Sequence, residues 1–186
     1  ALTNNTSGAS NTAIGKAALT ANTTASNNTG IGKDALGSNT TGTQNTAVGS
    51  LALDANTTAN NNTAVGYNSL SANTEGFNNT AVGTSSLDAN TTGDKNTAVG
   101  VGALGENTTA DHNTAVGSDA LLLNTTGNNN VAVQTLLMQI PLARTTLLLA
   151  ITPLVQALPL LIAQLLAQTL FGTTLQVLIP LLAKLA

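Results

Sequence analysis

NNTAVGYNSLSANTEGFNNTAVG, residues 61–83, spells the pentapeptide NTAVG twice within one short stretch. Reading outward from it, NTAVG or a close variant begins at Asn11, Asn28, Asn45, Asn62, Asn79, Asn96 and Asn113, and a degenerate copy, NVAVQ, begins at Asn130. Every step is 17 residues, with no insertion or deletion. The unit reads N-T-A-V-G-x-x-A-L-x-A-N-T-T-G-x-x, and residues 1–10 fit the same frame, so the chain opens in mid-repeat. A unit this small cannot bury its own apolar side chains, and fixed-period repetition therefore means stacking of each unit on its neighbours.

The columns of the repeat separate fixed from free positions. One column is β-branched and aliphatic: Ile14, Ile31, Val48, Val65, Val82, Val99, Val116 and Val133. Another is leucine: Leu2, Leu19, Leu36, Leu53, Leu70, Leu87, Leu104 and Leu121. These two are read as the core ladders. Two further columns are small, as at Ala64 and Ser69, and glycine follows the β-branched residue from Gly15 through Gly117. A third ladder, Asn22, Asn39, Asn56, Asn73, Asn90, Asn107 and Asn124, is assigned to the turns. The remaining columns take Lys, Tyr, Asp, Ser, Val, Phe and His, as solvated positions do.

Gly, Asn, Thr and Ser disfavour helix, because they favour turns or compete for backbone hydrogen bonds. A T-A-V run bounded by Asn and Gly is a strand signal. The expected fold is an all-β solenoid, a β-roll with one coil per repeat. Roughly 4.8 Å per coil makes about eight coils a rod near 40 Å long. Asn ladders satisfy turn backbone and side-chain amides together.

Only 7% of the residues are charged and the net charge is −3, so no basic surface exists to neutralise phosphates and nucleic acid is not an expected partner. Aromatic residues are limited to Tyr67, Phe77 and Phe171, which removes stacking platforms as well. Cysteine is absent, which fits an extracellular structural protein without requiring one. The first residue is Ala, not Met, as expected of a processed or partial chain from which any signal peptide is already gone.

Composition changes near residue 131, from Asn/Thr/Gly-rich to Leu-rich, with Arg144 and Lys184 the only charges beyond that point. Residues 1–134 are read as the solenoid and 135–186 as a separate helical module. Pro141, Pro153, Pro159 and Pro180 divide it into expected helices at 142–152, 154–171 and 174–185. Segments apolar nearly all round fit either a core shared by several chains or a membrane anchor through residues 145–183. Frequent Gln and Thr and the lack of Trp/Tyr belts favour the shared core.

Catalytic and cofactor signals are weak. GVGALG, residues 100–105, matches G-x-G-x-x-G, but Gly100 belongs to the repeat and a further repeat follows where a helix would be needed. His112 is the only histidine, so neither a triad nor a histidine-rich metal site is expected. Asp94 and Asp111 share one column and Asp54 and Asp88 another, a weak Ca²⁺ signal that reads better as scattered surface charge. No cofactor, metal site or enzymatic activity is expected. N-x-[ST] recurs at Asn22, Asn39, Asn56, Asn90, Asn107 and Asn124, which makes this edge either a plain Asn-Thr-Thr turn or a row of candidate glycosylation sites.

NNTAVG, as at Asn61–Gly66 and Asn78–Gly83, resembles the N-S-V-A-I-G motif of the head domains of trimeric autotransporter adhesins. It is also similar to NTAVG-x-x-AL-x-x-NTTG repeats of phage tail-fibre and bacterial surface proteins. The resemblance covers residues 1–134. It implies a left-handed β-roll, trimerisation through the aliphatic faces, and display outside a cell or virion. The 17-residue unit is longer than the usual adhesin repeat, and the tail does not match that family's β-barrel anchor.

The expected function is structural: an extracellular fibre or surface appendage of stacked coils, self-assembling as a homotrimer, a head-to-tail filament or both. A thin core and open solenoid ends both call for partner chains. The alternative is a surface adhesin or receptor-binding fibre, with Tyr67 and Phe77 in neighbouring coils as its candidate patch. Ice binding, through ranks such as Thr57, Thr74, Thr91 and Thr108, is a further alternative.

Overall fold

The structure, a computed structural model, describes residues 1–133 and 146–149. It is a parallel β-solenoid. The strands are β1 (Thr12–Ile14), β2 (Thr29–Ile31), β3 (Thr46–Val48), β4 (Thr63–Val65), β5 (Thr80–Val82), β6 (Thr97–Val99), β7 (Thr114–Val116), β8 (Asn130–Val133) and β9 (Thr146–Leu149). They form one sheet in chain order. From β1 to β8 every pairing is parallel with a 17-residue offset, Thr63 opposite Thr80 and Val65 opposite Val82 for example. Each residue therefore lies on its own copy one coil away. Coil-to-coil backbone bonds continue outside the strands, as in Gly66 N–H to the Val48 carbonyl (2.8 Å) and Leu70 N–H to the Ser86 carbonyl (2.9 Å).

The leucine column is the interior, with Leu19, Leu36, Leu53, Leu70, Leu87 and Leu104 at 0% exposure and Leu121 at 2%. These leucines adopt left-handed backbone, with φ between 51 and 53°. That conformation costs a residue with a Cβ about 1–2 kcal/mol. Burying a leucine side chain contributes about 1.5–3 kcal/mol, so burial outweighs the strain.

The β-branched column is not in the core. Val65, Val82, Val99 and Val116 are 36–37% exposed and Ile14 is 59% exposed, with Ile31 and Val48 only partly covered. Strand side chains alternate between faces, so only the middle residue of T-A-V points inward. That residue is small, Ala47, Ala64, Ala81, Ala98 and Ala115, each fully buried. The space is tight because the leucine column fills it: a Cβ on Gly30, the one glycine in this column, would stand 3.3 Å from Leu19 Cγ.

β9 pairs with β8 in parallel at a 16-residue offset, Asn130 opposite Thr146. Residues 146–149 are thus strand where the sequence suggested a helix over 142–152. The β8 edge carries unpaired backbone groups that recruit the next available extended segment, and Thr-Leu-Leu-Leu supplies one. The rest of the expected tail helices lie outside the described residues. Among the described residues no helix is long and apolar enough to cross a membrane.

Candidate functional site

The repeat builds three distinct surfaces, two of which are internal. Asn22, Asn39, Asn56, Asn73, Asn90, Asn107 and Asn124 are buried at 0–1% exposure. Each Nδ2 donates to the Oδ1 of the asparagine one coil earlier, at 2.8–3.2 Å. Its second hydrogen goes to the carbonyl three residues ahead, at 2.9–3.2 Å. Both amide hydrogens are committed, so a glycan on Asn22, Asn39, Asn56, Asn90, Asn107 or Asn124 is incompatible with the closed coil. The sequon is a structural ladder.

A second asparagine ladder, Asn28, Asn45, Asn62, Asn79, Asn96 and Asn113, is equally buried. In Asn28, Asn45, Asn62, Asn79 and Asn96, Nδ2 donates at 2.8 Å to a carbonyl 14 residues ahead. Oδ1 in the same column accepts the backbone N–H of the next asparagine, at 2.9–3.0 Å. Buried polar groups stabilise only when their bonds are made, and here they are made across coils. The sequence reading missed this ladder as interior structure. Its signal was available: Asn begins all eight copies of the motif, while the residue just before it varies freely.

The turn after each strand needs glycine. Gly15, Gly32, Gly49, Gly66, Gly83, Gly100 and Gly117 have φ between 123 and 141°, and a Cβ on Gly66 would stand 2.6 Å from the Gly83 carbonyl carbon. Gly100 of the GVGALG stretch is one of this ladder, and a further coil, not a helix, follows it.

The third surface is the outer strand face. It presents Thr29, Thr46, Thr63, Thr80, Thr97 and Thr114 beside the Ile/Val column, in ranks repeated every coil. The other threonine rank is engaged internally: Thr57, Thr74, Thr91 and Thr108 hydroxyls donate to the carbonyl of the next coil at 3.0–3.5 Å. That commitment removes them as a free array for ordering water.

Tyr67 is 56% exposed and Phe77 40% exposed. Tyr67 follows the end of β4, whereas Phe77 precedes the start of β5, its parallel neighbour. They lie beyond opposite ends of these paired strands.

The acidic residues serve the coils. Asp94 Oδ1 accepts the Phe77 N–H (2.9 Å) and Asp111 Oδ1 accepts the Asp94 N–H (2.8 Å). Burial pushes the Asp54 and Asp88 carboxyls above the usual range. His112 is exposed in a left-handed position, φ 58°, its N–H bonded to the Asp94 carbonyl (3.0 Å). Among the described residues no group of three or more His, Cys, Asp or Glu gathers to hold a metal ion.

No protein-family model, curated protein or solved structure matches this chain.

Proposed function

We propose that this chain is a non-catalytic structural protein, a rod of an extracellular fibre or surface appendage that assembles with copies of itself. One observation carries the reading: the exposed Ile/Val column is as uniform as the buried columns. Strand propensity accounts for β-branching on both sides of the central alanine. It does not account for Thr always standing on one side and Ile or Val on the other, from Thr12–Ile14 to Thr114–Val116. Among the described residues no side-chain hydrogen bond of this threonine rank fixes that order. An unbroken exposed aliphatic stripe is the kind of surface that partner chains cover.

The same reading takes the coils as left-handed and three copies as the assembly unit, as the adhesin-head resemblance implies. Residues 135–186 serve as the assembly or anchoring module. Negative-stain electron microscopy of the full chain in detergent-free buffer tests it. Rods thicker than a single coil, or filaments, are expected. Isolated single-coil particles at all concentrations would contradict it.

The adhesin alternative is weaker, because its two aromatic residues, Tyr67 and Phe77, lie beyond opposite ends of β4 and β5. Ice binding is weaker still, because the hydroxyls of Thr57, Thr74, Thr91 and Thr108 are engaged in coil stacking.

A further inference from the structure

The apolar segment beyond Val133 keeps the period of the coils. Thr135, Thr152 and Thr169 are 17 residues apart, as are Gln139 and Gln156, and Leu148-Leu149-Ala150 recurs as Leu165-Leu166-Ala167. An unrelated module has no reason to share the period of the rod. The genetic code supplies one. Within LMQIPLARTTLLLA, residues 137–150, the last base of each codon and the first two of the next make a second set of triplets. Met138 is encoded by ATG and the Gln139 codon opens with CA, so the triplet across them is GCA, alanine, without alternative. With one choice of synonymous codons the whole stretch spells D-A-N-T-T-G-E-N-N-T-A-V-G. That differs at two positions only from Asp88–Gly100, DANTTGDKNTAVG.

The composition follows from the same shift. An Asn codon read this way before Thr gives Thr or Ile. A Thr or Ala codon before Asn, Thr, Ala, Val or Gly gives Leu, Pro, Gln or Arg. The register of β9 agrees. Leu147, Leu148 and Leu149, whose triplets open in the shifted Thr, Ala and Val codons, pair with Val131, Ala132 and Val133, and Thr146, which opens in the Asn codon, pairs with Asn130.

We infer that residues 135–186 are encoded by further copies of the repeat read out of frame, so that the reading frame decides whether the chain adds coils or an apolar segment. The assembly or anchoring module proposed above is then a product of the rod's own coding sequence. The frame also decides the fate of the amide ladders. Asn124 Oδ1 and both side-chain polar atoms of Asn130 are buried without a hydrogen-bond partner. A coil in the repeat's frame carries what each lacks. Its turn asparagine donates to Asn124 Oδ1, as Asn124 Nδ2 does to Asn107 Oδ1 (3.1 Å). Its strand asparagine N–H donates to Asn130 Oδ1, as Asn130 N–H does to Asn113 Oδ1 (2.9 Å). Its turn carbonyl accepts from Asn130 Nδ2, as the Gly93 carbonyl does from Asn79 Nδ2 (2.8 Å). The remaining orphan, Asn113 Nδ2, is unrelated, because its partner by the repeat is the Gly127 carbonyl within the described coils.

Sequencing the gene across residues 130–186 tests the origin. Ile140 should be encoded by ATA, Arg144 by AGA, Thr145 and Thr146 by ACA, and Leu147 and Leu148 by CTG. A shifted reading that keeps both D-A-N-T-T-G and N-N-T-A-V-G is the expected result, and codons that destroy either motif overturn the inference. The consequence for the ladders is tested with a full-length chain in which the repeat's frame is kept after Val133. Its urea midpoint should lie above that of the parent, because unmade bonds on buried polar groups are costly. A midpoint equal to the parent's, or lower, overturns the role given to the in-frame coil. Neither measurement depends on self-association, so the proposed function stands or falls separately.

Discussion

The inside and the outside of the coil are both built from repeated columns, for different reasons. Inside, Leu70, Ala64, Asn56 and Asn62 repeat because each must fit and bond to its own copy one coil away. On the strand face, Thr63 and Val65 repeat as faithfully, yet Val65 is 36% exposed and packs into no interior. Uniformity alone therefore does not mark a core. An interior column is explained by the bonds and contacts it makes within the chain, and an exterior uniform column points to something outside it.

The sharpest way to break the comparison is inside. Gly66→Ala imposes a side chain at φ 141° against the Gly83 backbone, and should cost about 3 kcal/mol or more. Urea denaturation followed by circular dichroism would read it, and a near-normal midpoint would mean the coil spacing is wrong. Asn62→Leu comes next. It strands the Asn79 N–H, which Asn62 Oδ1 now accepts at 2.9 Å, and removes one of the two bonds to the Gly76 carbonyl, which keeps the one from Asn73 Nδ2 (2.9 Å), at about 1–3 kcal/mol for the stranded group.

On the outer face the expectation reverses. Val65→Asp should cost the isolated chain only about 1 kcal/mol, the difference in strand propensity, while reducing self-association. The acids on the outside give a smaller, pH-dependent effect. Burial raises the folded-state pKa of Asp54 and Asp88, so each ionised carboxylate opposes folding at neutral pH. That penalty is relieved as the pH falls through the folded value and is gone below the unfolded value, about 4. Asp88→Asn should therefore raise the melting temperature at pH 7 and make no difference near pH 3.5. Equal gains at both pH values would exclude the titration as the cause. A further small change is expected for Lys95→Asn, at φ 54°. Asparagine tolerates the left-handed region better than lysine does, so a stabilisation of up to about 1 kcal/mol should appear in the same denaturation assay.

Much of the solenoid is legible in the amino-acid sequence. The 17-residue frame, the T-A-V strands, the interior leucines and the obligatory glycines are all periodic signals with a single physical reading. The side-chain facing of T-A-V is not legible in the same way. Size suggests burying Val65 rather than Ala64, but the room inside is already taken by leucine and by two asparagine ladders. Interior asparagine also runs against the usual polar-outside expectation, and only the hydrogen-bond partners one coil away make it tolerable. The consequence is plainest at Asn56, where a sequon expected on a turn is a fully bonded interior amide. The left-handed leucines carry no sequence signal at all, since nothing in the residue type announces a strained backbone offset by burial.

The central claim is that the exposed aliphatic column joins chains and is not needed to fold them. Sedimentation velocity and thermal melting of the full chain, beside a Val65→Asp/Val99→Asp double variant, test it together. The account predicts an associating parent and a variant that stays folded, with a modestly lower melting temperature, but loses lateral association. A variant that associates as the parent does, or that unfolds instead, would contradict it.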